Sequence, residues 1–485
     1  MVLSDKARLA QIARSAMIEQ GLQPDFPAQA FAELEALKGA SAPEKTSRDL
    51  TALPWCSIDN DDSRDLDQLT VAEKLNAASV RIYVAVADVD SLVKGGTALD
   101  EHAKANTTSI YTAGGIFPML PEKLSTDLTS LNPGVSRNAL IIEMNFSGDG
   151  NLSSSAVYTG VVLNKAKLAY DSVAAWLDRK GPMPQGIAAV PGLEANIRLQ
   201  DQTAQRLKSK RREAGALQLA TIETKPEFED EKLTALKEDE KNRAKDIIED
   251  FMIAANGVTA RFLTKNKFPS VRRVVRVPKK WERIVTFAQE RGFRLPSTPD
   301  SKALDGFLLK EKNTNPETFH DVSLSVIKLL GPGEYVVEVP GEPPIGHFGL
   351  AVKDYTHSTA PNRRYPDLIT LRLLKAAAAG AKQPYKNEDL KWLAKHCTDR
   401  EDDAKKVERR LEKSAAAMLL EKKIGAKFDG IVTGASDKGT WVRLFDPPVE
   451  GKLVKGFKGL EVGMKVRVRL LRTDAERGFI DLEKI

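Results

Sequence analysis

Apolar side chains at Leu9, Ile12, Ala13, Ala16 and Met17 recur three or four residues apart, a spacing that predicts a helix over residues 5–20 ended by Gly21. A second, shorter helix is expected over residues 26–37. From 51 to 165 the pattern is one of strands and loops. The β-branched run Val80-Arg81-Ile82-Tyr83-Val84-Ala85-Val86 suits a buried strand, and Leu140 to Phe146, followed by Gly148-Asp149-Gly150, suits a strand entering a hairpin. The helical period returns over 195–215 and 240–264, the latter with Ile247, Ile248, Phe251, Met252 and Ala255 on one face. Residues 368–379 read as a further helix, and 389–424 as a long charged one that connects two domains. Beyond Gly425, glycine-bounded alternating runs at 428–434, 439–444, 463–469 and 479–482 suit a five-stranded OB barrel.

These elements predict an α+β multidomain chain. Residues 1–50 form a small helical module, either helix-turn-helix or winged-helix in kind or a cap packed on its neighbour. Residues 51–415 form a mixed α/β domain and 424–485 the OB barrel. The chain has 485 residues, 42% of them hydrophobic, which is ample for packed cores. Lys and Arg (73) outnumber Asp and Glu (67) by little, so a nucleic-acid reading has to rest on where the charges sit. Cys56 and Cys397 fit neither a disulfide framework nor a zinc site and are expected to be small buried hydrophobes. The first residues lack a signal peptide's apolar core and no apolar run approaches a membrane span, so a cytoplasmic protein is expected.

Two stretches carry chemistry. Ser57-Ile58-Asp59-Asn60-Asp61-Asp62-Ser63-Arg64-Asp65-Leu66-Asp67-Gln68 holds five aspartates in twelve residues. Without a nearby Cys or His, such oxygen donors suit a hard cation, magnesium or manganese, better than zinc. The glycine and glutamate of an EF-hand calcium loop are missing. A solvated acidic turn is the other reading of the run alone. The second stretch is Tyr355-Thr356-His357-Ser358-Thr359-Ala360-Pro361-Asn362-Arg363-Arg364-Tyr365-Pro366-Asp367, an arginine turn at a helix start, where side chains and free amides can meet a phosphate. An acidic loop and an arginine turn together suit metal-assisted attack on a phosphodiester.

These two stretches resemble the signature motifs of the RNB catalytic domain of ribonuclease II and ribonuclease R, hydrolytic exoribonucleases that work from the 3′ end. Collinear matches lie between them: Val84 to Val89, Ile116 to Pro121, Ser130 to Gly134, Arg212 to Leu217, Ile248 to Met252 with Asn256, and His347 to Leu350. The likeness covers roughly residues 50 to 415. The final barrel resembles the RNA-binding OB domain of the ribosomal protein S-one type that ends this family's chains. About fifty residues precede the matched region, too few for the family's two cold-shock OB folds.

The resemblance implies a magnesium-dependent, processive 3′-to-5′ exoribonuclease, a hydrolase releasing nucleoside 5′-monophosphates. Its implied substrates are single-stranded 3′ ends and, with a less guarded entrance, duplexes carrying 3′ overhangs. A monomer is expected. The alternative is an RNB-fold RNA-binding protein with little or no activity. Asp59, Asp65 and Asp67 match three metal-site aspartates, with Asp67 nearest the activated water. The fourth position is Gln68, a neutral ligand that weakens or rearranges the site, and Asp61 and Asp62 are extra carboxylates that compensate. Arg363 matches the charge that stabilises the transition state, and Arg364 a phosphate ligand or an ion-pair partner. Tyr111 matches a tyrosine that stacks on the terminal base, while the opposing place near Leu219 is aliphatic. Glu249 matches a ribose contact, with Asp250 beside it.

Basic clusters at Arg206, Lys208, Lys210, Arg211 and Arg212, and at Arg272, Arg273, Arg276, Lys279, Lys280 and Arg283 around Trp281, are expected to face RNA. In the barrel, Trp441 with Lys452 and Lys455, joined by Phe428, Phe457 and Lys458, are expected to stack on and neutralise single strands, some of the aromatics belonging to the barrel core.

Overall fold

The computed structural model describes residues 3–77, 79–221, 224–436 and 439–485. The chain opens with helices α1 (Asp5–Glu19) and α2 (Ala28–Ala36). Strands β1 (Arg48–Asp49), β2 (Cys56–Asp59), β3 (Gln68–Lys74) and β4 (Ser79–Ala87) follow, then α3 (Ala98–Asn106) and the small hairpin β5 (Ile110–Thr112) and β6 (Gly115–Phe117). The long pair β7 (Ser136–Ser147) and β8 (Leu152–Leu163) leads to β9 (Ala166–Ala169) and helices α4 (Tyr170–Leu177), α5 (Gln185–Ala188) and α6 (Leu193–Glu213).

A second hairpin, β10 (Thr224–Glu229) and β11 (Lys232–Glu238), precedes α7 (Arg243–Lys265) and β12 (Ser270–Val274). Three short helices, α8 (Trp281–Gln289), α9 (Ser301–Thr314) and α10 (Phe319–Leu330), lead to β13 (Glu334–Glu338), α11 (Tyr365–Ala378) and the 34-residue α12 (Asn387–Leu420). Strands β14 (Lys427–Ser436), β15 (Gly439–Leu444), β16 (Glu450–Lys455), β17 (Lys465–Asp474) and β18 (Phe479–Lys484) close into the five-stranded barrel that the sequence predicts.

The central sheet has the order β1-β8-β7-β4-β3-β2-β9. Its inner strands pair antiparallel, while β1 and β9 join the edges in parallel. The expected hairpin is the β7–β8 turn, where Gly150 sits at φ +82°, a conformation open to glycine and costly for a residue with a Cβ. Helices α6 and α7 pack against the sheet. Polar pins fix α6: Thr70 Oγ1 donates to Gln200 Oε1 at 2.7 Å, and the Ala72 backbone exchanges bonds with the Asn196 amide. Buried polar groups are thus satisfied where the sheet meets the helix.

Three apolar clusters result. One is the sheet with its helices, one joins α1, α12 and the barrel, and one is internal to α8–α10. All five apolar residues predicted for α1 are buried. The two N-terminal helices do not share a core. Those α1 residues pack with α12 and the barrel, while Ala30 and Leu34 of α2 join the sheet cluster, so the helix-turn-helix reading gives way to two separate caps. The periodicity was compatible with both, because it shows which face is buried and not what covers it. Hairpin β10–β11 and the α8–α10 unit were not foreseen. Cys56 and Cys397 are free and buried as expected. Among the described residues no helix is long and apolar enough to cross a membrane.

The basic clusters need correction. Arg272 is 2% exposed and pairs with Glu338 at 2.8 Å, Arg273 pairs with Glu401, and Arg276 pairs with Glu334. Trp281 lies in the α8–α10 core with its Nε1 donating to Pro296 O. In the other cluster, Lys208 pairs with Asp246 and Arg211 with Asp250. These arginines join elements of the fold. A charge run read along a sequence carries no record of the carboxylates that fold against it.

His102 of α3 ties down the N-terminal segment, its ring 4.2 Å from that of Phe26. Burial pushes its pKa from 6.5 down to about 4, and Nδ1 has no hydrogen-bond partner among the described residues. Between those values the unfolded chain takes up a proton that the folded chain refuses, so this site costs stability as pH falls. We expect His102→Phe to flatten the acid limb of stability between pH 6.5 and 4, read by urea unfolding at several pH values, whatever offset the larger ring brings at neutral pH. An unchanged pH slope would remove His102 from the account.

Candidate active site

The chain leaves β2 at Asp59, loops outward, and returns at Leu66 and Asp67, which are 2% and 1% exposed. Leu66 N donates to Ser130 Oγ at 3.0 Å and Asp67 O accepts from Ala87 N at 2.9 Å, so the loop's last two residues already belong to the folded core. Against them lies the turn before α11. Asp67 Oδ1 accepts from the Asn362 backbone N–H at 2.9 Å and Oδ2 from Arg363 Nε at 3.0 Å. Burial pushes the Asp67 carboxyl up to about 7, with the Arg363 charge opposing and Asp65 adding to the rise. Desolvation works against the Arg363 charge as well, but Asp67, Tyr111, Asp59 and Asp65 hold its pKa above the ordinary range. The acidic loop and the arginine turn, far apart in sequence, therefore form one electrostatic unit. The Arg363 side chain remains 40% exposed. Among the described residues Asp67 engages its Nε and nothing else is seen bonded to the rest of its five-donor fork, which leaves that edge for an incoming oxyanion.

Several elements hold the arginine turn in shape. Asp367, fully buried in the first turn of α11, accepts from Thr359 N and Ala360 N, both at 2.9 Å, and from Arg364 Nη2 at 2.7 Å. Asn256 of α7 accepts from the backbone and hydroxyl of Ser358. Arg363 O accepts from Ser109 N at 2.9 Å, which brings β5 alongside, and the Tyr111 hydroxyl then donates to Asp65 Oδ2 at 3.1 Å. The contacts run in a ring from Asp67 through Arg363, Ser109 and Tyr111 back to Asp65.

The other predicted positions fall at varied distances from this ring. Asp59 ends β2, its Oδ1 accepting from Asn60 N, and its charge acts on both Arg363 and Tyr170. Gln68 opens β3 opposite Val86. Strand alternation puts it on the face of Thr70, which meets α6, one residue out of phase with Asp67. Arg364 is committed to Asp367. Glu249 lies on α7 near Lys241 and Arg211, at 3.3 and 3.9 Å. Its neighbour Asp250 is buried against Arg211, its carboxyl pushed up to about 6 by burial. Leu219 packs on the α8–α10 cluster. In the barrel Trp441 is half-buried under Lys452 Nζ at 5.9 Å, Lys455 is exposed, Phe428 packs on the core, and Phe457 is exposed. The sequence reading gave Asp367, Asn362 and Tyr170 no role. Asp367 was visible as the one carboxylate after the arginine pair, three residues into a helix.

Among the described residues no three Asp, Glu, His or Cys side chains converge closely enough to hold a metal ion, so Asp59, Asp65, Asp67 and Gln68 do not form a closed cage. Two of the carboxylates are turned to Arg363 and Tyr111 instead. The donors are all oxygen, which fits a hard divalent ion held by one or two carboxylates and completed by other oxygens.

Fold and site together define a class: an α/β domain with a buried acid–arginine centre, followed by a closed OB-type barrel. The chain matches the RNB domain over residues 47–380 and the RNase II-type exonuclease C-terminal S1 domain over 426–485. It belongs to the RNB family. Ribonuclease R of Vibrio cholerae serotype O1 is 31% identical over 448 residues, covering 88% of this chain and 53% of that protein. The chain spans about half the length of curated relatives that it matches, this one among them. Mycoplasma genitalium RNase R, in complex with ribose-methylated single-stranded RNA, superposes with a TM-score of 0.86 at 24% identity, over 98% of this chain and 77% of that one. Yeast Ssd1, a pseudonuclease, shares the fold at a TM-score of 0.73 and 16% identity, over 94% and 57% of the two chains.

Asp367→Ala leaves two buried backbone N–H groups and the Arg364 guanidinium without their acceptor. The expected loss is about 3 kcal/mol of unfolding free energy, from roughly 1–3 kcal/mol for each unsatisfied buried group. Urea titration checks it, and a loss below about 0.5 kcal/mol would show that the turn is held without Asp367.

Proposed function

We propose that this chain hydrolyses RNA from its 3′ end, a metal-dependent exoribonuclease of the RNB type that releases nucleoside 5′-monophosphates. The observation that carries the reading is the pairing of Asp67 with Arg363, with Asp59, Asp65 and Tyr111 all acting on the same guanidinium. On this reading Asp67 is the carboxylate nearest the attacking water and also fixes the direction of Arg363. The free edge of Arg363 receives the charge that builds on the phosphoryl oxygens. Tyr111, 42% exposed beside Asp65, offers its ring to the terminal base. Glu249 contacts a ribose hydroxyl, a contact that favours RNA over DNA. Asp59 and Asp65 would hold magnesium or manganese, which supplies activation of the water and charge for the leaving oxygen, while Gln68, turned by strand alternation to the α6 face, takes no part in this reading. Trp441, Lys452 and Lys455 hold the strand on the barrel, and Arg364 works through the turn that it braces. Single-stranded 3′ ends are the primary substrate, with overhang-bearing duplexes as a further one, in keeping with the RNA-bound forms of Mycoplasma genitalium RNase R.

A second reading has a specific observation behind it. Gln68 brings no charge, and the carboxylates do not gather into a threefold cluster among the described residues. An RNA-binding platform with little or no hydrolysis would keep the same fold.

The experiment follows a 5′-labelled single-stranded RNA with purified protein, with magnesium or with EDTA, alongside the identical DNA. We expect metal-dependent shortening from the 3′ end that spares DNA and disappears with Asp67→Asn. Arg363→Ala should lose roughly two to three orders of magnitude in rate, the usual cost of removing a donor aimed at developing charge. Tight RNA binding without shortening, unchanged in both variants, would select the binding platform.

A further inference from the structure

Two turns along α11 from the arginine turn, helices α11, α3 and α12 line an open cleft of about 690 Å³, with Asp389 and Trp392 exposed on its α12 side. Small-molecule sites typically hold about 300–1,000 Å³. None of Asp59, Asp65, Asp67 or Arg363 lines it.

Its cations are already committed. Arg372, 6% exposed, donates from Nε to Asp90 at 3.0 Å, from Nη1 to the Tyr385 hydroxyl at 2.8 Å and from Nη2 to Val93 O at 2.8 Å, with Asp100 also 2.8 Å away. Lys375 sits 2.9 Å from Asp88 and 3.3 Å from Asp90, and Lys104 pairs with Glu101. A phosphate or carboxylate entering the cavity would meet Arg372 and Lys375 already engaged by several partners, and in Lys104 a cation whose charge is already matched by Glu101, so an anion is not the ligand that this lining selects.

What remains open is an acceptor and a ring. Asp389, in the first turn of α12, lines the cavity and has no side-chain partner among the described residues. Three residues on, and therefore beside it on the helix surface, is Trp392. Its indole is 57% exposed yet held in place, stacked on His396 at 4.8 Å and 9°, while His396 Nε2 is 2.8 Å from Lys104 O. A fixed π-face next to an unpaired carboxylate calls for a flat ring with two adjacent N–H donors on one edge. Among the nucleobases guanine alone presents that edge, through N1–H and the N2 amino group. Adenine and cytosine offer an amino group without the neighbouring N–H, and uracil a single N–H.

We propose that this cavity is a guanine-binding site, with the base stacked on Trp392 and its N1–H and N2 amino edge paired to the Asp389 carboxylate. The site is separate from the hydrolytic centre proposed above, so either can fail without the other. Guanine can arrive as a free nucleoside or nucleotide, or within an RNA strand, and the two sources are separable.

The test is calorimetric titration of the full chain in EDTA with guanosine, guanosine 5′-monophosphate, adenosine, 1-methylguanosine and short oligonucleotides with or without guanine. Guanosine is expected to bind at least about tenfold more tightly than adenosine or 1-methylguanosine. Asp389→Asn should cost about tenfold or more, the usual worth of a charge-assisted pair. Trp392→Ala should also weaken binding. Both side chains sit on the helix surface, and thermal melts of the variants confirm folding. Binding of free guanosine identifies a small-molecule source, and binding only of guanine-containing oligonucleotides identifies a strand. Equal binding of guanosine and adenosine, no binding of any guanine form, or indifference to Asp389→Asn overturns the proposal.

Discussion

One buried ion pair joins the two halves of the centre. Asp67 comes from the sheet and Arg363 from a turn 296 residues later, and a carboxylate 1% exposed has no water to fall back on. Taking either partner away would leave the other charge buried, a situation that typically costs about 3–5 kcal/mol. The surroundings follow from this requirement. Asp67 has to sit immediately before β3 with its carbonyl bonded to Ala87 of β4, and the turn has to present both the Asn362 amide and the Arg363 side chain at once. Asp367, Asn256 and Ser109 hold that turn from three different elements. Even so, the Asp67 carboxyl is pushed up to about 7, so a single arginine and a single amide do not fully offset its burial.

The second constraint is α12. Its first half packs with the sheet cluster through Leu390, Leu393, Ala394 and Cys397, and its second half with α1 and the barrel through Ala404, Val407, Leu411 and Ala415. One rigid element thus crosses from one core to the other, and the barrel's position is set by a helix and not by a loop. Ion pairs add a second attachment, Arg443 to Asp321 at 3.0 Å and Lys465 to Glu317 at 2.7 Å, which fasten the barrel to α10 and to the turn just before it. The exposed Lys465–Glu317 pair contributes little by itself. The half-buried Arg443 fork on Asp321 is the stronger geometry.

The elements legible in the sequence were those whose periodicity is local. Helix α1, strand β4, the β7–β8 hairpin and four of the five barrel strands, all but β16, follow from apolar spacing and glycine punctuation, because burial on one face is written every second or every third to fourth residue. Of the centre, the acidic loop and the arginine turn stood out by composition. That they meet was carried by the resemblance, since no local signal says which distant turn a carboxylate will face. Charge was the least legible property. Arg272 and Arg273 sit side by side between Val271 and Val274 in β12, and their partners Glu338 and Glu401 lie 66 and 128 residues away. A basic run therefore reads the same whether it meets phosphate or an internal acid.

That accounting bears on where an RNA strand would be gripped. Arginines of the two basic clusters that are consumed in the fold cannot also neutralise phosphates, because a buried fork already satisfied by a carboxylate gains little by exchanging partners and loses its bridging role. The cations left over include the exposed Lys279, Lys280 and Arg283 beside α8 and the barrel's Lys452, Lys455 and Lys458. With 73 basic against 67 acidic side chains, the chain as a whole offers no strong attraction. Attraction to a polyanion would then be local, concentrated on the barrel and the edge of the α8–α10 unit and sensitive to salt in proportion to the few phosphates neutralised. Stacking on half-exposed rings such as Trp441 and Phe457 is not screened in that way, and on the proposed reading it supplies the part of the grip that salt leaves intact.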